Sequence, residues 1–292
     1  MANKHQDKNE QRQRIVNEAA KALLANVRFM SIDDPIQTIV ITSSIPNEGK
    51  TFVAVNLAQA IASSGKTCLI MEGDLRKRSV AASMGIHPEN GLYAVLSGEV
   101  PFHQAAVATP QRNLYFLDAE PQIPNPPDLF GSKRFSEFID TVCDQFDYVV
   151  IDTPPVGTFV DAAVTASHMD ATYLVVRENF VKRNILANAY AQLQQAGANV
   201  AGVVMNGCRG DSDDGYYGYY GYYGYYEEST PAPEGKEMDG ASLDEAGFAS
   251  APERAARRKA SGDPGSPLSN DAAAFNRSNY GRGRGAHGRQ SN

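Results

Sequence analysis

The segment ITSSIPNEGKT, residues 41–51, is the most informative part of this sequence. Residues 44–51 fit the pattern G-x-x-x-x-G-K-[ST], with Ser44 in the place of the first glycine. An apolar run typical of a strand covers 36–42 before it, and a helical pattern covers 50–64 after it. Because a loop that opens a helix directs backbone N–H groups toward an anion, this setting predicts a phosphate-binding loop.

The loop residues have separate predicted tasks. Gly49 lets the backbone approach a ligand closely, Lys50 can reach the β- and γ-phosphates of a nucleotide, and the Thr51 hydroxyl can bind Mg²⁺. The alternative is a chance Gly-Lys-Thr in an ordinary loop, which the strand–loop–helix setting disfavours. The predicted nucleotide-binding residues of this segment are Asn47, Glu48, Gly49, Lys50, Thr51 and Phe52.

Two acidic residues lie at the ends of other predicted strands. Asp74 comes just after the apolar run 67–72, and Asp152 closes the run 147–152. Since the carboxyl ends of parallel strands meet at one edge of a sheet, we expect both carboxylates beside the loop, where they can hold Mg²⁺ through water. Either acid alone is equally consistent with a helix cap or a turn. Together with the loop they predict a metal–nucleotide site.

The composition argues against several classes of protein. The 292 residues carry 27 Lys and Arg against 34 Asp and Glu, a formal charge of −7, which disfavours a general nucleic-acid binder. The three cysteines form no C-x-x-C pair, so we expect neither a disulfide framework nor a cysteine zinc site. The N-terminus lacks a signal-like apolar segment, and no apolar run approaches the ~20 residues of a membrane span, so we expect a cytoplasmic protein.

Strand-like and helical patterns alternate up to about residue 209. Strands are predicted over 36–42, 67–72, 113–117, 147–152, 171–176 and 199–205. Strands separated by helices favour an α/β fold, with a mainly parallel sheet and helices on both faces. The predicted parts of the chain are a disordered N-terminus over 1–14, a nucleotide-binding domain over 15–209, a tyrosine-cluster tail over 210–228 and a disordered low-complexity tail over 229–292.

Four segments together resemble the bacterial tyrosine kinase family, the cytoplasmic kinases of capsular and exopolysaccharide synthesis. They are ITSSIPNEGKT (41–51), LIMEGDLRKRS (69–79), IPNPPDLFGSKRFSEFI (123–139) and FDYVVIDTPPVGTFVDA (146–162). The resemblance implies a P-loop nucleoside-triphosphatase fold, ATP and Mg²⁺ as cofactors, and an ATP-dependent protein-tyrosine autokinase. The related partitioning and septum-placement ATPases carry an extra lysine where this chain has Ile45, and this difference argues against membership of that branch.

The resemblance also implies roles for single residues. Thr51, Asp74 and Asp152 correspond to the metal site, and Asn206 matches a position near the adenine. Glu72 stands where the family usually has the aspartate that accepts the tyrosine proton, and its longer side chain moves the carboxylate by ~1.5 Å, a displacement that can cost ~100-fold in rate. The implied catalytic residues are therefore Lys50, Glu72, Asp74 and Asp152.

The first predicted helix, over 15–30, departs from the family. The family carries E-x-x-R-x-x-R there for packing between subunits, whereas this chain has Glu18, Lys21 and Leu24 in the same register. Lysine lacks the planar fork of arginine, and leucine removes the other charge. Two interpretations stay open: an assembly helix with different or weaker contacts, and a plain packing helix.

Tyrosines and glycines alternate in GYYGYYGYYGYY, residues 215–226. A glycine at every third position disfavours a helix or a packed strand, so the segment is predicted to be flexible. One interpretation is a substrate tail that enters a kinase site; the other is a low-complexity tail that self-associates through its aromatic rings. With a kinase domain the first is favoured, and the predicted autophosphorylation sites are Tyr216, Tyr217, Tyr219, Tyr220, Tyr222, Tyr223, Tyr225 and Tyr226.

The resemblance implies a membrane-anchored activator of the polysaccharide co-polymerase type, self-association, protein substrates in sugar-nucleotide pathways, and attachment to the inner face of the membrane through that activator. The net negative charge predicts no nucleic-acid partner, and the lack of a signal or spanning segment predicts a cytoplasmic location. A second hypothesis is a switch like the ParA and MinD ATPases, which binds and positions partners without phosphorylating tyrosine. A third is a structural protein with a degenerate domain, which would not bind ATP.

Overall fold

Short runs rich in valine, isoleucine and leucine form the sheet at the centre of the molecule. The computed structural model describes residues 2–30, 35–121, 123 and 125–208, and the sheet within them has the strand order β3-β4-β2-β5-β1-β6-β7. In chain order the strands are β1 (Thr38–Ser43), β2 (Cys68–Glu72), β3 (Val107–Ala108), β4 (Leu114–Leu117), β5 (Tyr148–Asp152), β6 (Ala171–Arg177) and β7 (Val200–Asn206).

Neighbouring strands of this sheet run parallel, except that β3 is antiparallel to β4. The predicted mainly parallel sheet is thus confirmed. Strand β3 was not predicted, because two residues are too short to show an alternating pattern. Strands β1 and β2 are buried along their whole length, as expected of parallel strands with helices on both faces.

Helices cover both faces of the sheet, as predicted. The helices are α1 (Ala2–Phe29), α2 (Lys50–Ser63), α3 (Val80–Met84), α4 (Leu92–Ser97), α5 (Phe102–Ala105), α6 (Pro126–Phe130), α7 (Lys133–Cys143), α8 (Asp161–Ala166) and α9 (Arg183–Gln195). Helices α1, α2 and α3 contribute to one apolar core, which contains Leu57 and Ile61, and α4 to α9 contribute to a second, which contains Phe135 and Phe138. None of the described helices is both long and apolar enough to cross a membrane.

Helix α1 begins at Ala2, so the prediction of disorder over 1–14 is wrong for residues 2–14. Those residues are mostly Lys, Gln, Glu, Arg and Asn; the first four favour a helix even without an apolar face to reveal it. Further along, Leu24 and Val27 are buried against α2, whereas Lys21 pairs with Glu18 at 2.8 Å in solvent. Leu24 therefore has a packing role, and an assembly role for Glu18 and Lys21 stays a prediction.

The predicted domain ends at 209, next to the last described residue. The tyrosine-cluster tail over 210–228 and the low-complexity tail over 229–292 lie outside the described residues, so both remain predictions from the sequence.

Candidate nucleotide-binding site

The loop between β1 and α2 has a backbone conformation that few residues tolerate. Asn47 has φ 69° and Gly49 has φ 92°, both in the left-handed region. A Cβ atom on Gly49 would lie 2.0 Å from Nδ2 of Asn206, so a side chain there would displace Asn206 from its hydrogen bond to the loop. The loop therefore favours glycine at position 49 on two grounds, the backbone angle and the contact with Asn206.

Two side chains hold the loop from within the protein. Glu48 is fully buried, and its Oε2 accepts a hydrogen bond from the N–H of Ile45 at 2.9 Å. Asn206, the last residue of β7, donates from Nδ2 to the carbonyl oxygen of Glu48 at 2.8 Å. Both residues contact the loop itself, and the predicted proximity of Asn206 to an adenine stays a prediction. Phe52 follows in the first turn of α2 with 49% of its surface exposed.

Four of the predicted residues come together at the carboxyl ends of β1, β2 and β5. Lys50 Nζ lies 3.2 Å from Asp74 Oδ2 and 3.6 Å from Asp152 Oδ1. The Thr51 hydroxyl donates a hydrogen bond to Asp152 Oδ2. The register explains the convergence, because Asp152 lies opposite Ile41 on one side and Glu72 on the other.

Burial sets the electrostatics of this cluster. It raises the pKa of Asp152 to about 6, against the opposing effect of the Lys50 charge. It also raises the pKa of Glu72 to about 8, and the neighbouring charge of Asp152 adds to that rise. For Lys50 burial works to lower the pKa, but the carboxylates of Asp152 and Asp74 outweigh it and the pKa is raised. The lysine is therefore a stable cation among three buried acids.

Both carboxylate oxygens of Glu72 accept hydrogen bonds from backbone N–H groups. Oε1 accepts from the N–H of Asp74 at 3.0 Å, and Oε2 accepts from the N–H groups of Ser79 at 2.6 Å and Val80 at 3.0 Å. Its side chain is fully buried. These bonds hold the turn that carries Asp74 against the end of β2.

The residues present fit a nucleotide with Mg²⁺. The donor set of hydroxyl and carboxylate oxygens is the one that Mg²⁺ prefers. Two buried oxygen atoms at the site, Ser44 Oγ and Asp152 Oδ1, have no hydrogen-bond partner among the described residues, and Asp152 Oδ1 has only the ion pair with Lys50 at 3.6 Å. Buried polar atoms are normally paired, so such atoms indicate a place for a ligand, a metal or water.

Several residues around the site escaped the prediction. The Ser79 hydroxyl lies 2.8 Å from that of Thr51. The Arg76 guanidinium donates to buried Asp161 at 3.0 Å and stacks on Phe159 at 4.3 Å. Ser79 and Arg76 lie in segment 69–79, and Phe159 and Asp161 lie in segment 146–162; both segments carry the resemblance, but it implied no role for these four residues. The one local signal was a serine directly before an apolar turn, which is typical of a helix cap.

Gly157 shows why the segment after β5 contains a glycine. A Cβ atom there would lie 2.4 Å from the carbonyl oxygen of Ser44. The N–H of Val156 donates to the Ser43 carbonyl oxygen at 2.9 Å. The segment that follows Asp152 thus packs closely against the start of the phosphate loop and is hydrogen-bonded to it, which holds Asp152 next to the loop.

Comparisons with known proteins agree with this geometry. The family described as an AAA domain matches residues 36–180. The chain is 33% identical over 203 residues to the tyrosine-protein kinase YwqD of Bacillus subtilis (strain 168), covering 69% of this chain and 86% of that protein. It is 34% identical over 189 residues to the tyrosine-protein kinase CpsD of Streptococcus pneumoniae serotype 4, covering 63% and 81%.

A solved structure supports the same assignment. The kinase domain of the Escherichia coli tyrosine kinase ETK matches with a TM-score of 0.62 and 27% identity, covering 66% of this chain and 76% of that one. The matched part of this chain contains the phosphate loop and the acids around Lys50. On the identity with YwqD, which extends over most of that protein, the chain belongs to the bacterial tyrosine-protein kinase family.

Proposed function

We propose that the chain transfers the γ-phosphoryl group of ATP to tyrosines of its own C-terminal cluster, acting on a neighbouring copy. The observation that carries the proposal is the grouping of Lys50 with Asp74 and Asp152 beside the phosphate loop. The same sequence contains the tyrosine-rich segment 215–226, which lies outside the described residues. The proposed catalytic site and the proposed substrate tyrosines thus belong to one chain.

The chain's own residues would bind and orient the reactants. ATP supplies the phosphoryl group, and Mg²⁺ neutralises charge on the phosphates. The N–H groups of the loop and the ammonium group of Lys50 would hold the phosphates, and the raised pKa of Lys50 keeps that group charged. Thr51, Asp74 and Asp152 would hold the metal, and metal binding to the two acids would release Lys50 from its ion pairs.

Proton acceptance by Glu72 also belongs to the proposal. Its side chain is fully buried and accepts from three backbone N–H groups, so a tyrosine hydroxyl would reach it only after the turn that carries Ser79 has moved. Glu72→Gln tests the assignment by comparing kcat with ATP affinity. A fall in kcat with unchanged affinity supports a base, and equal losses in both support a purely positioning role.

Phosphorylation would act on assembly through charge. Each phosphate adds about −1.5 to −2 charges at pH 7, next to the acidic residues that flank the cluster at 211–214 and 227–228. Accumulated negative charge disfavours close packing of copies, so we propose that phosphorylation weakens self-association. Like-charge repulsion of this kind is screened by salt, so the effect should shrink at high ionic strength.

The biological setting is proposed from the resemblance. A membrane-anchored activator of the polysaccharide co-polymerase type would engage the chain through its cytoplasmic segment and hold it at the inner face of the membrane. Control of the chain length and export of a capsular polysaccharide or exopolysaccharide would be the outcome. Proteins of sugar-nucleotide pathways are proposed as further substrates, and nucleic acid is not a proposed partner.

Mapping of phosphotyrosine after incubation with ATP and Mg²⁺ tests the proposal. We expect phosphate on tyrosines within 216–226 when the cytoplasmic segment of the activator is added. Lys50→Met protein should gain phosphate only when mixed with the active chain. Lys66→Met is the matched control, because Lys66 is half-exposed, pairs with Asp147 at 2.8 Å and lies at the opposite edge of the sheet.

Two results would contradict the proposal. If no phosphotyrosine forms in the presence of a verified activator, kinase activity toward the cluster is excluded. The second result concerns a variant in which every tyrosine of the cluster is replaced by phenylalanine. If this variant still binds and hydrolyses ATP and controls its partners as the unmodified chain does, the ParA- or MinD-like switch is favoured.

A further inference from the structure

The hydroxyl of Ser79 has an unusual partner. Ser79 directly precedes α3 (Val80–Met84), where a serine ordinarily turns its oxygen back to an N–H group of the first helical turn. It makes no such bond. Its Oγ lies instead 2.8 Å from Oγ1 of Thr51, the predicted Mg²⁺ ligand on α2.

Glu72 makes this arrangement possible. Its Oε2 accepts from the N–H groups of Ser79 and Val80. A buried carboxylate thus accepts hydrogen bonds at the start of α3, in place of the serine side chain. The Ser79 hydroxyl is thereby available to Thr51. An aspartate, whose side chain is one carbon shorter, would reach these N–H groups less well, which explains why a glutamate suits position 72.

The direction of the bonds identifies what Ser79 does. The one hydroxyl proton of Thr51 is donated to Asp152 Oδ2. The bond between the two hydroxyls is therefore donated by Ser79 and accepted by the Thr51 oxygen. Asp152 and Ser79 hold the Thr51 hydroxyl from two sides and fix its rotation.

We propose that Ser79 is a further positioning residue of the metal site, which presents the Thr51 oxygen in the orientation that Mg²⁺ requires. The inference rests on the proposed function, because it concerns the metal of the same nucleotide site. It adds one hydroxyl from the turn after β2 to the acids and the threonine already described. A fixed hydroxyl binds a metal more tightly than a freely rotating one, since less rotational freedom is lost.

Mg²⁺ titration of the binding of a fluorescent ATP analogue tests this role without any phosphoryl transfer. We expect Ser79→Ala to raise the Mg²⁺ concentration for half-maximal binding about three- to tenfold, as for the loss of one hydrogen bond. Binding in EDTA should not change. Ser79→Thr keeps the hydroxyl and should restore the Mg²⁺ dependence of the unmodified chain.

Ser83→Ala is the matched control, on helix α3 itself. Ser83 is exposed and donates to the carbonyl oxygen of Ser79, so its loss should leave the Mg²⁺ dependence unchanged. The inference would be overturned if Ser79→Ala and Ser83→Ala showed the same Mg²⁺ dependence. It would also be overturned if Ser79→Ala lost as much affinity in EDTA as in Mg²⁺. Failure of the unmodified chain to bind the analogue at any Mg²⁺ concentration would instead overturn the proposed function.

Discussion

Replacement of Asp152 by asparagine is expected to stabilise the protein while it abolishes the metal site. Asp152 is fully buried beside Glu72, and Lys50 is the nearby cation at 3.6 Å. Burial raises the pKa of Asp152 from 3.8 to about 6. Keeping this carboxylate ionised at pH 8 therefore costs the fold about 3 kcal/mol.

The sign of the pH dependence follows from that shift. A folded pKa above the unfolded value gives stability that is present below pH 3.8 and is lost as the pH rises through about 6. The cost is about 3 kcal/mol at pH 8 and about 1 kcal/mol at pH 4.5. The asparagine amide faces Lys50 and offsets part of the gain, so we expect Asp152→Asn to melt about 5 °C higher at pH 8.

Differential scanning fluorimetry in EDTA at pH 8 and pH 4.5 measures this effect. The gain in melting temperature should shrink to about a third at pH 4.5. With ATP and Mg²⁺ the same variant should form no phosphotyrosine. Such a combination is typical of sites where function is maintained against stability.

Asp170→Asn provides the contrasting control. Its Oδ2 accepts from the N–H groups of Gln37 and Thr38 and from the Thr38 hydroxyl, at 2.8–3.1 Å. We expect this substitution to lower the melting temperature, because it weakens hydrogen bonds and does not remove a fully buried charge. A lower melting temperature for Asp152→Asn at pH 8, or an equal gain at both pH values, would show that the ionised Asp152 carboxylate does not destabilise the fold.

Three further predictions follow from single contacts. Gly49→Ala should reduce nucleotide affinity at least about tenfold by equilibrium binding, because φ is 92° and the new Cβ meets Asn206; unchanged affinity would count against the loop geometry. Leu24→Ala should lower the free energy of unfolding by about 2–5 kcal/mol in chemical denaturation, and exposed Ile15→Ala by under about 0.5 kcal/mol; equal effects would contradict the packing of α1. Burial raises the pKa of the Cys68 thiol, so it should react with a disulfide reagent only on unfolding, and rapid reaction in the folded protein would disagree.

The elements around the phosphate loop were predictable because their patterns are strong. Strands β1 and β5 begin and end within two residues of the predicted ranges 36–42 and 147–152. Uninterrupted apolar runs and the turn residues after them carry that information. The same runs predicted that Asp74 and Asp152 would lie beside the phosphate loop, because the carboxyl ends of parallel strands share one edge. Their ion pairs with Lys50 were not predicted.

Features that depend on tertiary contacts were not predictable in this way. The first half of α1 lacks an apolar face, so its polar composition resembled a disordered segment. The contact between Ser79 and Thr51 joins residues 28 apart and depends on how Glu72 turns the intervening chain. No local pattern encodes the direction of a hydroxyl group, which is set by its neighbours in space.

A crystal structure of the chain with Mg²⁺ and a non-hydrolysable ATP analogue would show whether the phosphate loop binds the nucleotide. We predict that the phosphates lie in the loop, with Lys50 Nζ moved from Asp74 and Asp152 onto them. The metal should lie beside the Thr51 hydroxyl and the two aspartates. A nucleotide bound elsewhere, or a loop that stays empty with Lys50 still paired to both acids, would contradict the account.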